Sequence, residues 1–284
     1  MLQAADIGLS YGDAHVLRGV GLDVARGDIV GILGPNGSGK TTLLRVLAGM
    51  LRPQAGRVLL DGRDVASIPR QLLARRLAVV PQEVHLAFDY TVLEIALMGR
   101  YPHLGAFELE GPSDVEIARE ALEATGMLPF EHRAFDTLSG GEKQRVVIAA
   151  ALAQLASDAS RTRGPDGGAP GGSLLLLDEP TAALDLHYQI EVSGLIRRLN
   201  ADRGMTMVLT THDLNFAASV CHHLALLREG RVLAAGPVDQ VLDAAAVEAL
   251  YGVRADVQRH GGSGRLVVVP IGRVDPEVRR ARQA

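Results

Sequence analysis

The stretch from Gly34 to Thr41 reads Gly-Pro-Asn-Gly-Ser-Gly-Lys-Thr, and it decides the fold class of this chain. It fits the pattern G-x-x-x-x-G-K-[ST], in which backbone amides cradle phosphate groups. The glycines lack a Cβ, so the loop can turn several N–H groups towards anionic oxygens. A short apolar run, 28–33, precedes the loop, and a run with helical spacing, 41–48, follows it. The sequence therefore predicts a strand, a phosphate-binding loop and a helix in succession.

The positions of this loop have separate expected roles in holding a nucleotide. Lys40 supplies a positive charge for the β and γ phosphates, and the Thr41 hydroxyl can ligate Mg²⁺. The helix that begins here points its N-terminus at the same phosphates. The predicted nucleotide-binding residues of the loop are Gly34, Pro35, Asn36, Gly37, Ser38, Gly39, Lys40, Thr41 and Thr42.

Length and composition limit the classes of protein to consider. The chain has 284 residues, of which 47% are hydrophobic and 22% charged, which is ordinary for a globular protein. A net charge of −4 gives no basic footprint for nucleic acid. The single cysteine, Cys221, excludes an intramolecular disulfide framework and is expected to be a small core residue. We find no signal peptide and no apolar run long enough to span a bilayer, so we expect a cytoplasmic location.

Strand and helix patterns alternate along most of the chain. Residues 2–33 are typical of short strands joined by turns, and 91–154 and 187–201 have helical spacing. Capping boxes are predicted at Thr91–Glu94, Ser113–Glu116 and Ser139–Glu142. The predicted fold class is α/β, a P-loop NTPase-type mainly parallel sheet with flanking helices, an N-terminal antiparallel β portion and an inserted α-helical subdomain. Further strands are predicted at 57–62, 77–80, 174–177, 206–210, 223–227, 232–235 and 266–269.

Two carboxylates directly follow a run of four leucines, 174–177. A strand buried on both faces has this composition, and ligands of open α/β sheets bind beyond the carboxyl ends of such strands. Beside a phosphate-binding loop, we expect Asp178 to hold the metal ion through water. Glu179 is expected to act on the attacking water as general base.

A second helix start with unusual glycines lies far from the first in sequence. Residues 138–145 read Leu-Ser-Gly-Gly-Glu-Lys-Gln-Arg, in which Ser139 and Glu142 form the third capping box. Gly140 and Gly141 are each unfavourable in a first helical turn by roughly 1 kcal/mol relative to Ala. Paired glycines allow the backbone to approach an anion closely, and the helix dipole favours one there. The stretch therefore predicts a second phosphate-binding surface.

These motifs together resemble those of the ATP-binding subunits of ABC transporters, and the resemblance runs through nearly the whole chain. Residues 34–41 resemble the family's Walker A motif, and 174–179 resemble its Walker B motif. The resemblance implies an ATPase with ATP and Mg²⁺ as cofactors. The residues that match the family's signature motif, which contacts the ATP of another subunit, are Leu138, Ser139, Gly140, Gly141 and Glu142.

Four more positions take a role from this resemblance. Gln82 is similar to the Q-loop glutamine, and Asp185, in Ala183-Leu-Asp185, resembles the D-loop aspartate. His212 resembles the switch histidine that contacts the γ-phosphate. Tyr11 stands where the family places a ring under adenine, a contact worth ~1–3 kcal/mol, and its alternative is an ordinary turn residue before Gly12. The implied catalytic residues are Glu179, His212 and Gln82, and the implied Mg²⁺ ligands are Thr41, Gln82 and Asp178.

The resemblance also implies partners, a location and domain limits. Two subunits of the family pair head to tail, so that each ATP lies between one Walker A motif and the other subunit's signature helix. The implied partners are a second copy of this chain, two integral membrane permease subunits and, indirectly, a periplasmic or surface substrate-binding protein, but no nucleic acid. The chain would be a peripheral protein on the cytoplasmic face of the inner membrane. The implied domains are an ATPase domain (1–235) with an inserted helical subdomain (about 84–154) and a flexible loop (157–173), then a C-terminal extension (236–284).

The start of the helical insertion is rich in aromatic residues. Four of the chain's ten Phe and Tyr residues fall within 84–107, namely Phe88, Tyr90, Tyr101 and Phe107. Aromatic residues are enriched where proteins dock, so one hypothesis is a groove for a cytoplasmic helix of the permease. The alternative is a small core of the helical subdomain, and the sequence leaves both open.

The transported cargo is inferred from local resemblance alone. Residues 91–103 and the C-terminal stretches 250–253 and 267–270 look like those of ATPases that import haem, ferric siderophores or cobalamin. The Gly- and Pro-rich insertion before the Walker B motif most resembles the haem-import members. A non-transport, soluble ATPase is the more remote alternative. The adjacent pair His222 and His223 is not expected to bind haem, because neighbouring residues of a strand point to opposite faces.

Overall fold

A computed structural model describes residues 1–84, 88–157, 172–182 and 184–273 of the chain. Most of the predicted flexible loop 157–173 lies outside the described residues, as does the end of the C-terminal extension. The described part has a sheet at its N-terminal end, a central sheet with helices, and a C-terminal hairpin.

An antiparallel sheet is built mainly from the first sixty residues. Its strands are β1 (Leu2–Tyr11), β2 (Ala14–Val24), β4 (Ala55–Leu60) and β5 (Arg63–Asp64), in the order β2-β1-β4-β5. The predicted N-terminal antiparallel portion is thereby confirmed. The strand predicted over 57–62 ends earlier, at Leu60, because Asp61 and Gly62 both have positive φ and turn the chain.

The central sheet carries the residues of the nucleotide site. It contains β3 (Ile29–Leu33), β6 (Leu77–Val80), β7 (Leu174–Asp178), β8 (Thr206–Thr211), β9 (His223–Arg228) and β10 (Arg231–Pro237). The strand order is β10-β9-β3-β8-β7-β6, and all neighbours run parallel except β10, which is antiparallel to β9. Successive residues of β3 lie in two different apolar clusters, so helices or the first sheet cover both faces. The predicted mainly parallel sheet is confirmed.

Strand register brings one set of strand ends to a common edge. Leu33 pairs with Thr211, Asp178 with Thr210, and Val80 with Leu177. The chain therefore leaves β3, β8, β7 and β6 at the same edge of the sheet, which is where ligands of such sheets bind. Gly34, His212 and Glu179 each stand directly after one of these strands.

Helices flank this sheet and form the inserted subdomain. The subdomain consists of α3 (Val92–Met98), α4 (Pro112–Ala124) and α5 (Gly140–Leu155), which pack against each other. The capping boxes at Thr91 and Ser139 are confirmed. The box predicted at Ser113 is wrong, because Pro112 favours the first helical position and α4 begins there. The remaining helices are α1 (Lys40–Leu47), α2 (Arg70–Ala74), α6 (Leu186–Arg203), α7 (Leu214–Val220), α8 (Val238–Val241) and α9 (Ala244–Tyr251).

A buried ion pair holds the helical subdomain together. Arg100 and Asp114 both have fully buried side chains, with Arg100 Nε 3.1 Å from Asp114 Oδ1. Arg100 Nη1 also donates to the carbonyl oxygens of Ala153 at 2.6 Å and Ala156 at 2.9 Å. These bonds connect the segment after α3 to the start of α4 and the end of α5. Arg100, part of the stretch that resembles chelate importers, thus has a structural role.

The described part of the C-terminal extension contains one strand more than the sequence predicted. After α8 and α9 it forms a hairpin of β11 (Val253–Arg259) and β12 (Leu266–Arg273), of which only β12 was predicted. Val253, Ala255 and Val257 alternate with polar residues in β11, so a strand pattern was present in the sequence but not recognised. The hairpin packs against α7 and α9. Among the described helices, none has the length and apolar character that crossing a membrane requires.

Candidate nucleotide-hydrolysing site

The phosphate-binding loop joins β3 to α1 in a conformation that only certain glycines permit. Gly39, the residue before α1, has a φ of 104°, in the left-handed region that disfavours other residues. At Gly34, an added Cβ would lie 2.2 Å from the carbonyl oxygen of Leu227, so the neighbouring strand end leaves no room for a side chain. The loop is therefore fixed both by backbone conformation and by close packing.

Lys40 is the buried cation of the loop, with 5% of its surface exposed. Its Nζ lies 3.1 Å from Glu179 Oε1 and donates to the carbonyl oxygens of Gly34 at 3.0 Å and Pro35 at 3.2 Å. The ammonium group is thus held over the loop by oxygen atoms on two segments. A phosphate group bound in the loop would meet a positive charge already in position.

A set of hard oxygen atoms surrounds Asp178 at the end of β7. Asp178 Oδ1 accepts from Thr41 Oγ1 at 3.1 Å and from Thr210 Oγ1 at 2.6 Å. The nearby Ser38 Oγ is buried with no hydrogen-bond partner among the described residues. One carboxylate with hydroxyl oxygens fits Mg²⁺, which takes few protein ligands and completes its shell with water and substrate phosphates.

Glu179 is held in a strained backbone conformation. Its φ is 44°, which is uncommon for a residue other than glycine. Its N–H donates to Thr210 Oγ1 at 2.9 Å, and its Oε2 lies 3.0 Å from His212 Nδ1. The carboxylate therefore stands between the ammonium of Lys40 and the imidazole of His212. This arrangement suits a group that takes a proton from water at the edge of the phosphate loop.

The sequence did not identify Thr210, although it joins the two carboxylates. Its hydroxyl donates to Asp178 and accepts from the backbone of Glu179, so it fixes both residues relative to β8. The signal available was a pair of threonines at the end of an otherwise apolar strand, where a polar residue is unexpected.

Two further predicted residues lie near this cluster without touching it. Gln82 is exposed and follows β6 at the same sheet edge as Asp178. Tyr11, 53% exposed, ends β1 at the hairpin that leads into β2. That hairpin lies beside the loop, because a Cβ at Gly39 would meet the carbonyl oxygen of Val16 at 3.0 Å. The predicted roles of both residues towards a nucleotide stay predictions.

The signature residues form a self-contained helix start. Glu142 N donates to Ser139 Oγ at 3.3 Å, and Ser139 N donates to Glu142 Oε2 at 2.7 Å. The bond from the Ser139 backbone is the main cause that lowers the pKa of Glu142. Leu138 is buried beneath this turn. Asp185 has a similar local role, since its Oδ1 accepts from Tyr188 N at 3.1 Å at the start of α6.

The two signature glycines have different surroundings. A Cβ on Gly141 would lie 2.3 Å from ring atoms of Tyr188, whereas one on Gly140 would meet only Leu184 Cδ2, at 3.4 Å. Gly141 therefore has a packing reason inside the chain, which the sequence argument from anion binding did not anticipate. Gly140 has no such reason. Tyr188 was not singled out from the sequence, since nothing local links it to α5.

The described residues show no hydrogen bond or ion pair between the signature helix start and the phosphate-binding loop. One chain thus brings together Lys40, Thr41, Asp178, Glu179 and His212, and leaves the signature residues apart from them. The predicted roles of both groups of residues stay predictions at this point.

The histidine pair and the cysteine have local roles. His222 Nδ1 and His223 Nδ1 lie 3.7 Å and 3.4 Å from carboxylate oxygens of Asp28. The expectation that the two rings point to opposite faces is wrong, because β9 begins only at His223 and strand alternation does not reach His222. Cys221 is buried, which raises the pKa of its thiol, and its prediction as a core residue is confirmed.

Of the aromatic residues at the start of the insertion, one belongs to the core of the helical subdomain and three are exposed, as a docking surface would require. Tyr90 packs against the core of the subdomain and meets the ring of Phe88 edge-on, with centroids 6.4 Å apart. Phe88, Tyr101 and Phe107 are exposed, Phe107 completely. Tyr101 lies beside α2, where Arg75 Nε donates to the carbonyl oxygen of Pro102 at 2.8 Å. Residues 85–87 of this stretch lie outside the described residues.

A large open cavity lies beyond the end of α1, and Phe88, Tyr101 and Phe107 are not among its lining residues. Its volume is about 870 Å³, and α1, β4, α2 and β6 contribute its walls. Met50, which is exposed, Arg52 and Arg70 line it together with Gln154 of α5. The cavity thus lies where the central domain meets the helical subdomain.

Comparison with known sequences places the chain among ATP-binding transport subunits. Residues 17–157 match the ABC transporter family. The chain is 42% identical to the hemin import ATP-binding protein HmuV of Gloeobacter violaceus, covering 96% of this chain and 94% of that protein. It is 35% identical to the ferric enterobactin transport ATP-binding protein FepC of Escherichia coli, over 97% and 96% of the two chains. It is also 35% identical to the cobalamin import ATP-binding protein BtuD of Halobacterium salinarum, covering 95% of this chain and 63% of that one.

Solved structures agree with the sequence comparison. A metal-chelate type ABC transporter in an inward-facing conformation superposes with a TM-score of 0.79 at 30% identity, over 95% of this chain and 96% of that one. The dimeric ATP-binding cassette MJ0796, in a post-hydrolysis state bound to ADP and Pi, superposes with a TM-score of 0.67 at 28% identity, over 84% and 99%.

Proposed function

We propose that this chain, which belongs to the ABC transporter family as an ATP-binding, ATP-hydrolysing subunit, provides the energy for importing an iron chelate, and specifically haem. The observation that carries the hydrolytic part is the cluster of Lys40, Glu179 and His212 at the mouth of the phosphate loop. The cargo rests on the hemin import relative, which matches nearly the full chain at 42% identity.

The residues of the cluster divide the work of hydrolysis. Lys40 and the amides of residues 34–42 bind the β and γ phosphates, and Tyr11 stacks on the base. Glu179 accepts the proton of the attacking water, a step worth about 10²–10⁴ in rate, and His212 contacts the γ-phosphate while bonded to Glu179. Thr41, Asp178 and Gln82 would hold Mg²⁺, which when bound neutralises charge on the transferred phosphoryl group.

A second copy of the chain is proposed to complete each site. The signature residues Ser139, Gly140 and Gly141 form a helix start suited to an anion, yet within the described ranges they form no hydrogen bond or ion pair with the phosphate loop of the same chain. A head-to-tail pair would place this helix start, with the D-loop at Asp185, on the ATP of the other subunit. The dimeric arrangement of the related cassette MJ0796 supports this pairing.

The permease is proposed to dock on the cavity and on the exposed apolar residues of the insertion. Met50, which lines the cavity, and Tyr101 and Phe107 are large apolar side chains that are more than half exposed, a composition typical of interfaces. A cytoplasmic helix of each of two permease subunits would fill the cavity of one ATPase subunit. The chain would then be peripheral on the cytoplasmic face of the inner membrane, and would sense a substrate-binding protein only indirectly.

Two other cargoes remain in the proposal as alternatives. The ferric enterobactin relative matches 97% of this chain, so a ferric siderophore is the second candidate. Cobalamin is the third, supported by the relative from Halobacterium salinarum. A non-transport ATPase is the most remote possibility. Because this subunit need not touch its cargo, its own site chemistry does not separate these candidates.

The test is ATPase activity of the chain purified with its permease and binding protein in lipid. Haem-loaded binding protein should raise the rate several-fold, and the same protein loaded with a ferric siderophore or cobalamin should not. The Glu179→Gln complex is the control for contaminating ATPases and should show no stimulated turnover. If only the siderophore-loaded or only the cobalamin-loaded binding protein raised the ATPase rate, that chelate and not haem would be identified as the cargo. A rate indifferent to all three would contradict the import function.

A further inference from the structure

The hydrogen bond between the His212 ring and Glu179 requires a particular orientation of the ring, so the backbone of His212 must be held in place. His212 lies in the turn between β8 and α7, and its side chain is 51% exposed. The ring reaches Glu179 Oε2 through Nδ1 at 3.0 Å. A half-exposed ring has little packing to orient it, so the position of its backbone decides whether this distance persists.

A tyrosine of the C-terminal extension holds that backbone directly. The hydroxyl of Tyr251 donates to the carbonyl oxygen of His212 at 3.0 Å. Tyr251 is the last residue of α9, which ends at Gly252 in the left-handed conformation, and its ring packs against the main core. Burial raises the pKa of Tyr251, and the charges of Asp213 and Glu179 raise it further, so the hydroxyl stays protonated as a donor.

A second tether from the same extension lies on the other side of the turn. Asn215 Nδ2 donates to the carbonyl oxygen of Val268 at 3.2 Å, and Val268 N donates to Asn215 Oδ1 at 2.8 Å. Between the two tethers, Asp213 caps α7 by accepting from the backbone N–H groups of Asn215 and Phe216. The extension therefore bonds to the chain both at His212 and three residues after it.

We propose that Tyr251 is a positioning residue for hydrolysis, which holds the His212 peptide so that the imidazole stays within hydrogen-bond distance of Glu179. The inference rests on the proposed role of His212. It gives residues 236–273 a function: α9 and the hairpin β11–β12 brace the turn that carries the histidine. Tyr251 acts only through His212 and does not itself touch the nucleotide.

A purely structural role for Tyr251 would give different results. The side chain of Arg228 also fastens α9 to the domain, because its Nη1 donates to the carbonyl oxygen of Ala249. Loosening α9 at Arg228 should lower the melting temperature without changing the turn at His212. Arg228→Gln is therefore the matched control for Tyr251→Phe, which keeps the ring and removes only the hydroxyl.

The experiment measures kcat and KM for ATP in the purified transporter complex, for wild type, Tyr251→Phe, Arg228→Gln, His212→Ala and the double variant Tyr251→Phe/His212→Ala. Loss of one hydrogen bond should lower kcat of Tyr251→Phe about two- to tenfold. We expect KM to change less than twofold, since the loop residues are untouched. In the His212→Ala background the tyrosine change should have no further effect, because both act through one group.

The outcomes separate this inference from the proposed function. An unchanged kcat in Tyr251→Phe, or losses that multiply in the double variant, would overturn the positioning role while leaving His212 in place. An equal fall of kcat in Arg228→Gln would overturn it in favour of general loosening. Full activity of His212→Ala would overturn the proposed role of the histidine, and with it the inference.

Discussion

The two helix N-termini that the sequence marked as anion sites differ in how the fold surrounds them. At the start of α1, groups from β7 and β8 converge on the loop, so that Lys40 and Thr41 contact Glu179 and Asp178. At the start of α5, the side chains of Ser139 and Glu142 form capping bonds within a single turn of one segment. The proposed hydrolytic site is thus built by tertiary contacts, whereas the proposed anion-binding surface at α5 is built within one local segment.

This difference indicates which helix start could support hydrolysis and which could only bind an anion. A reaction centre needs groups of opposite charge at short distance, which only neighbouring strand ends provide here. An anion-binding surface needs a helix dipole, free amides and a close approach, which a single local segment supplies. The second surface can therefore serve a phosphate that another molecule holds. The predictions below test this comparison, beginning with the largest effect.

Mixed dimers should show that the two surfaces act on one ATP from different chains. Lys40→Ala removes the buried cation of one surface, and Gly140→Asp places a negative charge on the other, where only Leu184 is near. Each variant alone should lose at least about a hundredfold in ATPase rate. Mixing the two should recover part of the rate, because one site of each mixed dimer then carries neither change. ATPase assays on the mixed and separate complexes decide this, and the absence of any recovery would contradict the head-to-tail arrangement.

Substitutions of the two signature glycines should separate packing from function. Gly141→Ala forces a Cβ against the ring of Tyr188 and should destabilise the chain by about 1–3 kcal/mol. Gly140→Ala should leave the free energy of unfolding unchanged or slightly higher, since alanine favours helix. Denaturant unfolding measures both.

Tyr188 provides the internal control for this pair. Tyr188→Ala in the Gly141→Ala background should recover part of the lost free energy, because the ring that collides with the new Cβ is gone. Equal stability of Gly140→Ala and Gly141→Ala would show that the contact with Tyr188 does not govern the start of α5.

Acid should slightly lower the stability that His103 contributes at the C-terminal end of α5. His103 Nε2 bonds to the carbonyl oxygen of Gln154 at 2.8 Å, and burial is the main cause that lowers the pKa of His103. Because the folded-state pKa is depressed, the unfolded chain binds the proton first. The contribution of His103 is therefore fully present above pH ~6.5 and declines as the pH falls below that value.

Thermal melting at pH 7.5 and 5.5 tests this effect, with His103→Gln as the comparison. The variant keeps a donor for the Gln154 carbonyl but does not titrate, so its melting temperature should fall less on acidification than that of wild type. An identical fall in the two proteins would assign the acid sensitivity to other groups.

Local signals predicted most of the fold and the separate parts of the site. Four leucines before Asp178 identified a buried strand, and Gly34–Thr41 identified the loop, because both patterns arise from neighbours in sequence. The strand β11 was missed although its apolar and polar residues alternate, because the run is short and contains only three apolar residues. The capping box at Ser113 was misplaced by two positions, because Pro112 competes for the helix start.

What the sequence by itself determined is the chemistry of each segment: a phosphate loop, a strand with two carboxylates, and a glycine-rich helix start. What only the tertiary structure decided is which of them meet. Strand register brings Thr210 to Asp178 and Glu179, α9 brings Tyr251 to His212, and α6 brings Tyr188 to Gly141. These contacts join residues tens of positions apart, and their distances depend on the packing of whole elements, which no local pattern encodes.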